Sequence, residues 1–190
     1  MFIKTQGFKR LIQEAYKMAC LKVGRDEDGI YIAGGYWVLQ VKDGLLPKAE
    51  LGELIKLTGE LPEIGTGFTA SKNGNQYEIQ ANRYYRVIRN AEDCKDKLVI
   101  TRLLINGNRI LQNESTGDCV EIQDKFVDMI DIKSTEWEKG EDYPEGPLTG
   151  EHAGVFWKNN MMALYVMPVA NQKDERLLRI LGGYIIEEEE

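Results

Sequence analysis

The sequence predicts an α+β fold in which antiparallel hairpins alternate with a few amphipathic helices, in an order that runs twice along the chain. Three observations carry this. Apolar residues recur at helical spacing in several separate segments. Asp-Gly, Asn-Gly and Asn-Asn pairs sit between alternating stretches, where two-residue hairpin turns belong. The helical segments near Lys48 and Asp124 are each followed by a hairpin that leaves through Ala-Asn, at Ala81-Asn82 and Ala170-Asn171.

Phe2 to Thr5 reads as a short strand. A helix is expected from Phe8 to Ala19, because Phe8, Leu11, Ile12, Ala15 and Ala19 form one apolar stripe opposite Lys9, Arg10, Gln13, Glu14 and Lys17. Strands follow around Asp28-Gly29, with a bulge or break at Gly34-Gly35; beyond it Trp37, Leu39 and Val41 alternate to one face. Pro47 opens a second helix that ends at Gly59, with Leu51, Leu54, Ile55 and Thr58 inward. "TGFTASKNGNQYEIQA" is a hairpin over Asn73-Gly74.

The second half is expected to repeat this order. "YYRVIRN" reads as a strand and "AEDCKDK" as a short helix. "LVITRLLINGNRILQN" is a hairpin over Asn106-Gly107, and "DCVEIQ" a further strand. In "DKFVDMIDIK" Asp124 would cap a helix whose stripe is Phe126, Val127 and Ile130. An acidic loop, "STEWEKGEDYPEGPLTGE", leads to "AGVFWKNNMMALYVMPVAN", a hairpin over Asn159-Asn160. The reading is two βαβββαββ units, 1–82 and 83–171, then a C-terminal helix and acidic tail over 172–190. That helix takes Asn171 as cap and Gly182 as stop.

The totals bound the function. Of 190 residues 43% are hydrophobic and 29% charged, which fits an ordinary globular chain rather than a disordered one. "MFIKTQGFKR" lacks the apolar core of a secretory signal, and no apolar run approaches the about 20 residues that span a bilayer. Cys20, Cys94 and Cys119 form no C-x-x-C pair, which points to reduced thiols, a cytoplasmic address and no structural zinc. The net charge of -7 is split unevenly: residues 1–89 hold 13 Lys+Arg against 10 Asp+Glu, and residues 90–190 hold 11 against 21. A strongly basic nucleic-acid binder would look different, though a local basic face on an acidic body is compatible with these totals.

"KFVDMIDI", followed by an apolar hairpin ending "YVMPV", is similar to the close of the last domain of a bacterial DNA sliding clamp. The match covers about residues 122–169 at motif level and the rest only by element order. The resemblance implies units joined edge to edge in a ring around duplex DNA, which for a two-unit chain means a homo-trimer. Ring-lining helices would approach phosphate with diffuse positive charge. Lys9, Arg10 and Lys17 on the first helix and Lys48 and Lys56 on the second are the candidates. Taken singly, each reads more readily as a lysine or arginine on a solvated helix face. Lys125 shares its helix with Asp128 and Asp131, and Glu92 and Asp93 stand beside Lys95 and Lys97, so the second unit departs from a basic lining.

The resemblance also implies an apolar groove at the final strand, where a replication protein docks a short peptide. By position this makes Tyr165, Val166, Met167, Pro168 and Val169 docking candidates. The plainer reading is that Met162, Leu164 and Val166 are core and Pro168 ends the strand. The chain also runs about 20 residues past this motif, giving a C-terminal helix that could cover the groove.

Other chemistry is sparse. His152 is the single histidine, and its neighbour Glu151 would point the other way along a strand. No H-E-x-x-H, Walker A or helix-opening G-x-G-x-x-G is present, and the acids from Glu136 to Glu145 read as a solvated loop without calcium-loop spacing. "RYYRVIR" interleaves Arg83, Arg86 and Arg89 with aromatics, as a single-stranded nucleic-acid patch or as a linker between units. The expectation is a non-enzymatic clamp-like binding protein acting with DNA or the replication machinery, without cofactor, metal or membrane contact. The alternative is a monomeric or dimeric interaction module that keeps the fold and has lost the ring.

Overall fold

The computed structural model describes residues 1–78, 87–132, 140–150, 154–169 and 172–184. Helix α1 spans Thr5–Lys17, followed by strands β1 (Leu21–Asp26), β2 (Gly29–Ala33) and β3 (Trp37–Val41). Helix α2 (Lys48–Thr58) precedes β4 (Thr66–Ser71) and β5 (Gly74–Glu78). The remainder comprises α3 (Val87–Glu92), β6 (Asp96–Ile105), β7 (Asn108–Asn113), β8 (Cys119–Gln123) and α4 (Lys125–Asp128). Then come β9 (Glu145–Thr149), β10 (Val155–Lys158), β11 (Met162–Val166) and α5 (Gln172–Leu181). The fold is α+β, and the eleven strands make one antiparallel sheet in the order β5-β4-β1-β2-β3-β11-β10-β9-β6-β7-β8.

Turn chemistry sets the hairpins. Asp26 Oδ1 accepts the backbone N–H groups of Asp28 and Gly29, closing the β1–β2 turn. Asn106 and Gly107 both have positive φ, 53° and 83°, as a type I′ turn between right-twisted strands requires. At the β10–β11 turn Asn159 Oδ1 accepts the N–H groups of Met161 and Met162. The Gly34-Gly35 break is the β2–β3 connection, clipped by a bond from Gly34 N–H to Trp37 O.

β11 lies at the middle of the sheet, between β3 and β10, so both of its faces are covered. Met162, Leu164 and Val166 enter the main core, while Ala163 and Tyr165 face a second, smaller core. A strand enclosed on both sides carries few polar residues, which accounts for the run "MMALYVMPV". The main core gathers one face of the sheet under α1, α2 and α4, with Trp37, Leu39 and Val41 all in it. The second core lies on the opposite face, where Val87 and Ala91 of α3 pack on Val38, Phe156 and Ala163.

Several expectations are corrected. The first helix runs Thr5–Lys17, and Ala19 is exposed with φ 55° rather than part of the stripe. The opening strand reduces to an Ile3–Ile130 bridge. Ile55 on α2 is 38% exposed; Glu50 is buried instead, accepting a 2.6 Å bond from Thr5 Oγ1 where α1 and α2 pack together. Residues 87–90, expected in a strand, are helical, because Val87 and Ala91 one turn apart bury on the central strands while Gln40 Oε1 accepts Ile88 N–H. The helix at Asp124 is a single turn; Asp124 stands at its N-cap position, but its side chain makes no capping bond, and Oδ1 takes a 2.7 Å bond from buried Arg109 instead. Glu145–Thr149, read as loop, is β9.

Candidate partner-docking groove

An apolar groove of about 340 Å³ opens where β11 ends. Its walls are the Gly34–Tyr36 turn, Trp37 and Val38 of β3, Val87 and Asn90 of α3, Phe156 of β10, and Tyr165 and Met167. The rim is held by a 2.9 Å bond from Met167 N–H to Tyr36 O, so the chain leaving β11 stays clipped to the β2–β3 turn. Phe156 and Tyr165 stack at 5.0 Å between centroids, tilted by 52°. Burial pushes the Tyr165 phenol above its ordinary 10.0, so it stays protonated and can donate a hydrogen bond at neutral pH.

Glycines shape both rims. A Cβ on Gly34 would lie 2.3 Å from the Trp37 indole nitrogen, and one on Gly154 2.0 Å from Tyr165 Cε2. The two rings therefore lie directly on backbone, and the aromatic floor depends on those positions being bare. Met167, 51% exposed, is a flexible apolar side chain at the mouth. The site can bind an apolar group and offer hydrogen bonds at its edge.

The five sequence candidates divide here. Tyr165 and Met167 line the groove. Val166 turns away into the main core and is fully buried. Pro168 and Val169 are half-buried beyond the groove, and Val169 N–H bonds to Glu121 O on β8. Tyr36, Trp37, Val38, Val87, Asn90 and Phe156 were not predicted. The aromatic pair Tyr36-Trp37 directly after Gly34-Gly35 was their one local sign, since large rings beside a glycine break have backbone to lie against. The C-terminal helix does not cover this groove; α5 lies against β8 at the far edge of the sheet.

The basic candidates sit on the packed α1–α2 surface, most of them already paired. Lys9 and Lys56 both reach Glu53, at 3.4 and 2.7 Å. Arg10 and Lys125 both reach Glu14, at 3.0 and 2.7 Å. Lys17 and Lys48 are exposed and carry no ion pair among the described residues. Arg83 and Arg86, like His152, Glu151 and Trp137, lie outside the described residues.

The hydrogen bond from Lys125, helped by Arg10, holds the Glu14 carboxyl below its ordinary 4.5. A depressed carboxyl contributes stability that is complete above its unfolded-state pKa and disappears as pH falls through the folded-state value. Acid unfolding followed by circular dichroism should therefore show a loss beginning below about pH 4.5 that is shallower in Glu14→Gln. Because Glu14 is partly solvated, the difference should be about 0.5 kcal/mol or less. Identical acid limbs in the two proteins would show that this pair contributes nothing.

The acidic loop is not uniformly solvated. Glu141 is buried and holds the Met1 ammonium at 2.7 Å. Asn159 Nδ2 donates to its other oxygen, and Asn160 ties Gly140 and Asp142 to the β10–β11 turn. No group of three His, Cys, Asp or Glu with metal-holding geometry occurs among the described residues. Burial raises the Cys94 and Cys119 thiols above their ordinary 9.0, so both are poor nucleophiles at neutral pH. Among the described residues no helix is long and apolar enough to cross a membrane. No family model, curated protein or solved structure matches this chain.

Proposed function

We propose that the chain is a protein-interaction module of clamp-like organisation that docks a short apolar peptide in the groove at the end of β11. The observation that carries this is the groove itself, an aromatic-floored cavity left open at the centre of the sheet with half-exposed Met167 at its mouth. The two-unit reading draws support from the strand order. The first half runs β5-β4 then β1-β2-β3, and the second runs β11-β10-β9 then β6-β7-β8, each a later hairpin or meander beside an earlier meander.

A ring around DNA fits less well. α3 covers the face opposite α1 and α2, α4 is one turn long, and three of the five described basic candidates, Lys9, Arg10 and Lys56, are paired to two carboxylates. Cations already neutralised within the protein release fewer phosphate counterions, which weakens DNA binding.

A short peptide with adjacent leucine and phenylalanine anchors, titrated calorimetrically, is expected to bind, and Met167→Arg is expected to weaken it by at least about tenfold, or ~1.4 kcal/mol. The substitution replaces an exposed side chain, so the melting temperature should hold. Equal affinity of both proteins for the peptide would refute the docking role of the groove. A labelled duplex titrated at low salt tests the DNA reading separately.

A further inference from the structure

The sheet is open, so it has two edge strands, β5 and β8, and an edge strand presents unpaired N–H and C=O groups to any other strand. Nothing among the described residues pairs with the outer edge of β5. β8 is different. Its outward backbone groups are those of Cys119, Glu121 and Gln123, since Asp118 O is taken by Asn113 N–H on the β7 side and directions alternate along a strand. Glu121 O accepts Val169 N–H at 2.7 Å, and α5 then runs beside the strand. The far end of α5 is fixed by backbone-to-backbone contact. A Cβ on Gly117 would lie 2.7 Å from Gly182 O, and Gln112 Nε2 bridges Gly117 O and Tyr184 O at 3.1 and 2.7 Å.

The seating is thin. No described side chain of α5 is fully buried; Leu177, Ile180 and Tyr184 are exposed, and Leu178 and Leu181 only half-buried. On the face of β8 that Cys119 shares, Glu121 is buried with Oε1 bonded to Asn108 and with Oε2 finding no hydrogen-bond partner among the described residues. An unpartnered buried carboxylate oxygen penalises the closed arrangement.

From these observations we infer that Val169 and α5, with the turn through Tyr184, form a displaceable cap on β8, and that uncovering it lets the β8 edge pair with a second copy of this chain. The second copy is the fitting partner because each molecule also carries a β5 edge that no described residue pairs with, so that one uncovered edge supplies a head-to-tail contact. This stands apart from peptide docking, since the groove lies at the centre of the sheet and the cap at its margin.

Native-state hydrogen exchange on the full chain should show α5 amides and the outward amides of Cys119, Glu121 and Gln123 opening together, well before β1–β3. Leu178→Asp, which places a charge on the half-buried side of α5, should make the mass measured by light scattering rise with concentration to that of a dimer or larger species. Adding Cys119→Pro should restore the monomer, because proline at an outward position removes an edge donor without touching the β7 ladder. The inference fails if Leu178→Asp frees α5 yet stays monomeric, or if association survives Cys119→Pro and so runs through the helix. Exchange of α5 only with global unfolding in the unmodified chain would overturn it as well, whether or not the variants fold.

Discussion

Gly24→Val is expected to lower stability by about 3 kcal/mol, read as a shift of the denaturation midpoint in urea. Gly24 on β1 is paired with Tyr31 on β2 and with Gly67 on β4, so three neighbouring strands present Tyr, Gly and Gly in one row. The buried Tyr31 ring lies in that slot: a Cβ on Gly24 would sit 1.8 Å from Tyr31 Cζ, and one on Gly67 2.9 Å from its hydroxyl. A valine there cannot coexist with the ring. Either the ring swings out and its burial is lost, or β1 separates from its neighbours. A midpoint within experimental error of the parent would mean that Tyr31 has a second packed position.

Glu141→Ala should have a comparable or larger effect, about 3–5 kcal/mol. The Met1 ammonium and the Glu141 carboxylate are 2.7 Å apart with 2% exposure each, so neither charge has water to return to. Removing the carboxylate strands that ammonium and takes from Asn159 Nδ2 one of its two acceptors, Glu141 Oε1 at 3.0 Å, leaving Asp142 O at 3.1 Å. Asn159 in turn closes the turn into β11, so the loss reaches the central strand through Met161 and Met162. Glu141→Gln, which keeps an acceptor and removes the charge, should fall between. A melting temperature unchanged by Glu141→Ala would show that the ammonium finds another partner, and would remove the pair from the account of stability.

These two sites also show where sequence reasoning stops. Glu141 stands among five other acids, and nothing nearby distinguishes it from its solvated neighbours; its partner is 140 residues away. Gly24 reads as a weak point in a strand, because a glycine that accommodates a ring and one that merely interrupts a strand look alike without the register. The groove is similar. Tyr165 and Met167 were marked by position in a motif, but the other walls come from β3, α3 and β10, which meet only through the β3–β11 pairing.

The sequence by itself determined the elements whose cause is local. α1, the β1–β2, β4–β5, β6–β7 and β10–β11 hairpins and the stop of α5 at Gly182 follow from apolar period and turn chemistry, both of which act over a few residues. Tertiary structure decided what depends on distant neighbours. Val87 to Glu92 became helix because a helical stripe was needed over the central strands, and the helix at Lys125 was cut to one turn with Asp124 bound to Arg109. Glu145–Thr149 became a strand because β10 and β6 offered edges on either side. Only the folded sheet assigned β11 to the centre and the C-terminal helix to the β8 margin, since edge pairing is a contest among all strands that no single stretch can settle.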